Sequence, residues 1–160
     1  MSDANPMHPK RTGSSVEAAV IQTEPALSTV TDTEATWHDA ATTAVLTPRH
    51  DRPFGGICLV EADTPVEIKG CIPAVENDGH QTAGRWYIKR EAHAQLREER
   101  GVYYLTVYAP RPSTPIIAAI VVPAATIGDL LVGSWYDSGR YDRVAKLSWP
   151  TVIDEERVSD

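Results

Sequence analysis

The sequence predicts an α/β fold, a mixed β-sheet flanked by helices, with a disordered N-terminal tail. Three observations carry that prediction. Residues 116–122, IIAAIVV, are apolar at every position, as in a central strand covered on both faces. Residues 66–71, VEIKGC, alternate apolar and charged side chains, the period of a strand with two unlike faces. In residues 85–100, RWYIKREAHAQLREER, Ile88, Ala92 and Leu96 recur every four positions, the period of a helix, and Gly101 is its stop.

The remaining elements follow in chain order. Residues 1–30 are rich in Ser, Thr, Ala, Pro and Glu and hold no aromatic residue, so they are expected to be a disordered tail with at most a turn of helix over residues 16–22. Thr31 or Thr33 can cap a helix through EATWHDAATTAV, with Trp37, Ala41, Ala44 and Val45 near one face. Residues 57–61, ICLVE, read as a strand joined to residues 66–71 by the turn ADTP, which makes a hairpin. Two loops, TPRHDRPFGG and residues 72–84, are marked by Pro and Gly. Residues 102–109 read as a strand, ATIGDLL as a short helix and residues 144–149 as a last strand. One domain over residues 31–153 and an acidic C-terminal tail over residues 154–160 complete the division.

Composition narrows the function. The formal charge is −7, from 22 acidic and 15 basic residues, so long-range attraction to polyanions requires a local basic patch. Two cysteines, Cys58 and Cys71, make neither a disulfide framework nor a C-x-x-C site, which suits a reducing compartment. The N-terminal stretch lacks a signal-peptide apolar segment, and the longest apolar run, residues 115–125, is too short to span a bilayer. A cytoplasmic location without membrane contact is the expectation. The five His and two Cys show no zinc spacing. P-loop, dinucleotide-binding and nucleophile-elbow motifs are missing.

Two constellations stand out. Alternation puts Glu67 and Lys69 on one face of their strand. They are either a surface ion pair or part of a metal-dependent hydrolase site. In the second case the carboxylate binds Mg²⁺, the Ile68 carbonyl adds a ligand, and the ammonium orients water and stabilises developing charge. Arg85, Lys89, His93 and Arg97, four apart on the expected helix, form a basic stripe that is either a solvated face or a contact for nucleic-acid phosphates.

The order helix, hairpin ending in VEIKG, loop, helix GRWYIKREAHAQL, strand resembles the PD-(D/E)XK nuclease superfamily over roughly residues 31–122. The resemblance implies an αβββαβ core and a Mg²⁺- or Mn²⁺-dependent endonuclease that hydrolyses DNA phosphodiesters. In it Glu67 is the acidic metal ligand and Lys69 the catalytic lysine. The family places another Asp before this element, where this chain offers Gly55 or Cys58. Asp51 is therefore the expected second metal ligand, with weakened activity, and Glu34 or Asp39 the first-helix acid. A non-catalytic DNA-binding or assembly module that retains the fold is the alternative, and a purely structural protein with Glu67 and Lys69 simply paired is a third reading. The sequence is compatible with a homodimer.

Overall fold

A computed structural model describes residues 9–30, 38–112, 114–139 and 143–158, with side chains from residue 16 onward. Its centre is a five-stranded mixed sheet in the order β1-β2-β3-β7-β8. Those strands are Leu27–Thr29, Ala40–Thr42, Pro65–Cys71, Val102–Tyr108 and Ile116–Pro123. Strands β1, β2 and β3 pair antiparallel in sequence, β3 pairs parallel with β7, and β7 pairs antiparallel with β8. With helix α1, Pro9–Thr23, in front and α2, Arg90–Glu98, between β3 and β7, the core order is αβββαβ.

The expected elements of this core are displaced toward the N-terminus. Residues 9–30, read as tail, form α1 and β1. Val16 and Val20, one helical turn apart, are fully buried against β3 and β7. The helix stops before Pro25, whose ring cannot continue it. The Trp37 end of the helix expected after Thr31 lies outside the described residues, as does Glu34. Its other end, Ala40–Thr42, is strand β2. Alanine favours a helix, but here it fits a narrow slot between two strands, and tertiary pairing overrides propensity. Thr42 fixes the register: its hydroxyl donates to the Glu61 carbonyl at 2.6 Å and accepts from the Thr64 N–H at 2.9 Å.

Residues 57–61 form no strand against β3; Val60 makes only an isolated bridge to Leu46. The expected hairpin is therefore replaced by the β2–β3 pair. Strands β4, Ala74–Asn77, and β5, His80–Ala83, form a hairpin where the sequence suggested only a loop. Asp78 and Gly79 at its tip have φ of 52° and 81°, the positive values of a type I′ turn. Strand β6, Arg85–Lys89, is the first third of the segment read as one long helix. Trp86 and Ile88 point inward while Arg85, Tyr87 and Lys89 point outward, a period of two. It pairs antiparallel with β9, Val144–Ser148, from the far end of the domain.

Two apolar clusters flank the sheet. One joins α1 to Val66, Ile68, Val102, Tyr104 and Val121. The other joins Tyr103, Leu105 and Ile120 to Leu96 of α2, Ile127 of α3 (Ala124–Leu130), and Trp86 and Leu147 of the β6–β9 ribbon. Trp86 is fully buried and its indole donates to the Thr106 carbonyl at 2.9 Å, which ties the ribbon to β7. The C-terminal segment also docks: Ile153 is buried, and Arg157 donates to the Ala119 carbonyl at 3.1 Å. Among the described residues no helix is long and apolar enough to cross a membrane.

Candidate active site

Glu67 and Lys69 are alternate residues of β3 and share a face, opposite Tyr103 and Leu105 of β7. The Lys69 Nζ lies 3.5 Å from the Glu67 carboxylate, and both side chains are partly buried. On the other edge, β2 begins to diverge from β3 at Ala40, opposite Val66. Asp39 stands at this fork. Its N–H donates to the Val66 carbonyl at 3.1 Å, and its carboxylate accepts the Ile68 N–H at 2.7 Å. The Asp39 carboxylate is thereby held beside the Glu67 carboxyl, close enough to raise its pKa.

Burial raises the Glu67 pKa far above the carboxylate range, and the adjacent Asp39 raises it further against the opposing charge of Lys69. Two carboxyl groups this close do not both ionise unless a cation neutralises them. Without a cation, Glu67 is therefore shifted toward its protonated form.

Glu17 of α1, which packs on the sheet, reaches a cleft it shares with Lys69. Its carboxyl is pushed up to about 7, by burial first and then by Asp39, with Lys69 opposing. Gly70 makes this approach feasible, because a Cβ there would sit 3.1 Å from Val16 Cγ1, Thr106 Oγ1 and a Tyr108 ring carbon. Glu17, Lys69, Arg85 and Tyr87 line one cleft of about 220 Å³.

The donor set suits a hard cation. Among the described residues no three ligand side chains converge into a ready-made cage. Mg²⁺ does not need one, since it is commonly held by one or two carboxylates and keeps its other positions for water and substrate phosphate. Asp39 and Glu67 supply two hard oxygen donors, one beside the start of β2 and one on β3.

The other expected ligand is elsewhere. The Asp51 carboxylate is exposed and bound to Arg49 Nε at 3.0 Å, which holds its carboxyl below the usual carboxylate range. Its loop is tied to β8, where Gly55 donates to the Val121 carbonyl at 2.8 Å, two strands from β3. Gly55 packs on Val122, and Cys58 is exposed on a segment unpaired with β3. Neither occupies the position of the second carboxylate.

The basic stripe is also divided. Arg85 and Lys89 lie on the outer face of β6, with Arg85 in the cleft. His93 is buried in α2, and its Nδ1 is 2.8 Å from the Tyr103 hydroxyl. Burial lowers its pKa, and its ring stacks on that of Tyr103. Arg97 lies on α2 beside a separate groove with Arg90 and Trp135.

Sequence reasoning placed Glu17 in the tail and named Asp39 only as a first-helix alternative. The signal for Glu17 was available in the four-residue step from Val16 to Val20, which is the apolar face of a helix beginning before residue 16. No curated protein and no solved structure matches the chain. The sequence profile of the PD-(D/E)XK nuclease superfamily domain matches residues 2–154, nearly the whole chain, and the protein belongs to that superfamily.

Proposed function

We propose that this nuclease-like protein is a Mg²⁺-dependent DNA endonuclease that hydrolyses phosphodiester bonds. The observation that carries this reading is the placement of the Asp39 carboxylate on the Ile68 N–H, at 2.7 Å, beside Glu67, with the Lys69 ammonium 3.5 Å from the Glu67 carboxyl. Superfamily members generally use divalent metals. A cation held by Asp39 and Glu67 would supply Lewis acidity at the scissile phosphate and acidify a coordinated water.

The chain's own groups have separate tasks. Asp39 and Glu67 would hold the cation through their carboxylate oxygens. Lys69 orients the attacking water and neutralises charge that develops on phosphate oxygens. Glu17 exchanges a proton near neutral pH, the range in which a general acid or base works best. Arg85 at the cleft mouth holds the phosphate backbone.

Cleavage of plasmid and oligonucleotide DNA, with Mg²⁺ or Mn²⁺ against chelator, tests the reading. Asp39→Asn should lower the rate at least about 100-fold, because a mispositioned reactive group costs that much. It should also weaken Mn²⁺ binding measured by titration. Asp51→Ala should leave both unchanged. Metal-independent cleavage, or loss in Asp51→Ala but not Asp39→Asn, would overturn the site. No cleavage of any DNA by a folded protein would favour the non-catalytic module.

A further inference from the structure

The β6–β9 ribbon presents an outer face of which the proposed hydrolysis uses only Arg85. None of its strand residues, RWYIK and VAKLS, is acidic, in a chain of net charge −7. Arg85, Tyr87 and Lys89 project from β6, and Lys146 lies opposite Tyr87 on β9. Tyr136 joins the far edge through an antiparallel bridge to Val144. The Lys146 ammonium sits between two aromatic rings, 5.1 Å from the Tyr87 centroid and 5.5 Å from that of Tyr136. Both rings are nevertheless open to solvent, Tyr87 by 55% and Tyr136 by 40%.

Tyr87 and Tyr136 each offer a flat aromatic face to solvent. Here they are fixed in place by strand pairing and by the shared ammonium, so little ordering remains when a flat ligand stacks on them. Alternate residues of a strand are about 6.6 Å apart, which brings Arg85, Tyr87 and Lys89 into a row of cation, ring and cation. The row runs straight into the cleft, because Arg85 and Tyr87 line it together with Lys69 and Glu17.

We infer that this ribbon is a platform for unpaired nucleic acid, with Tyr87 and Tyr136 stacking on bases and Arg85, Lys89 and Lys146 following the phosphates. Stacking needs a free base face, which a paired duplex does not offer along its length. The substrate class is therefore DNA with a single-stranded segment that leads to the scissile phosphate. This inference rests on the nuclease reading only for the delivery of that strand to the cleft; binding to the ribbon does not need catalysis.

The test separates the two. Anisotropy titrations in chelator use labelled oligo(dT) of about 15 nucleotides, within the usual span of one such surface, and a blunt duplex of equal length. The single strand should bind more tightly than the duplex. Tyr87→Ala and Tyr136→Ala should each weaken it roughly 5- to 100-fold, while Tyr87→Phe and Tyr136→Phe retain binding. Lys146→Gln should flatten the salt dependence by about 0.7 in log–log slope. Duplex binding as tight as single-strand binding would overturn the platform. So would unchanged binding by both folded alanine variants, or equal competition by an acidic peptide, which would mark a charge-only surface. A protein that cleaves no DNA yet shows the tyrosine-dependent preference keeps the platform and loses the nuclease reading. One that cleaves duplex and is indifferent to both tyrosines does the reverse.

Discussion

Arg52→Met should destabilise the protein by about 3 kcal/mol, because it leaves part of a buried charge uncompensated. Glu24, at the end of α1, is 1% exposed and Arg52 is 2% exposed. The Glu24 carboxylate accepts from Arg52 Nε at 2.7 Å and Nη2 at 3.2 Å, and from Arg49 Nη1 at 2.9 Å and Nη2 at 3.2 Å. The Tyr104 hydroxyl of β7 adds a fifth bond at 2.5 Å. Breaking a buried pair typically costs 3–5 kcal/mol. Arg49 and Tyr104 survive the substitution, so the lower end applies, and Tm should fall by roughly 6–12 °C in a chain of this size.

Urea unfolding followed by circular dichroism at neutral pH measures the cost. Glu24→Leu combined with Arg52→Met should recover most of it, because neither charge is then stranded. The pH dependence has a fixed sign. Burial alone would raise the Glu24 pKa, but the hydrogen bonds from Arg52, Tyr104 and Arg49 outweigh it and hold it below the usual value. The clamp's contribution is thus complete above the unfolded carboxyl's pKa, about 4.3, and is lost as pH falls through the folded value. Across that range the natural protein should lose stability more steeply than the double variant. A cost under about 1 kcal/mol for Arg52→Met, or a double variant as unstable as the sum of its singles, would refute the clamp.

Two further perturbations address how α1 reaches the cleft. Gly70→Leu should cost about 1–3 kcal/mol by overpacking and lift α1 from β3, since the position has only 3.1 Å to Val16; a change in Glu17 titration by carbon-13 NMR reports the displacement, and an unshifted titration would count against the close approach. Glu17→Gln should stabilise the protein at pH 8 and leave it unchanged at pH 4. The natural carboxyl has a folded pKa of about 7, so its favourable contribution is present below the unfolded pKa and is lost as pH rises through 7. About 1–2 kcal/mol is expected after allowance for solvent screening of a half-buried group. Equal denaturation curves at pH 8 would show that Glu17 is not strained by its neighbours.

The chemistry of β3 was legible in five residues. Glu67 and Lys69 share a face because a strand has a period of two, whatever its partner. The strands at residues 102–108 and 116–123 were equally plain, because apolar side chains on both faces leave no alternative to burial. The segment RWYIKREAHAQLREER was ambiguous in physical terms. Ile88 belongs at once to the period-two face of β6 and, with Ala92 and Leu96, to a period of four. Only the pairing of β6 with β9, more than fifty residues later, decides between them.

By itself, the sequence determined the α/β class, the buried central strands, the E-x-K pair and its family. Each depends on local periodicity or on side chains within one strand. Tertiary structure alone decided which acid meets Glu67. Asp51 and Asp39 are both carboxylates upstream of β3, and residue types cannot rank them. The β2–β3 pairing puts Asp39 at the fork, while an arginine and the edge of β8 hold Asp51 two strands away. The same holds for Glu17, which reaches the cleft because Gly70 leaves room for α1 on the sheet. A catalytic constellation depends on distances between segments remote in sequence, and those distances exist only once the sheet has formed.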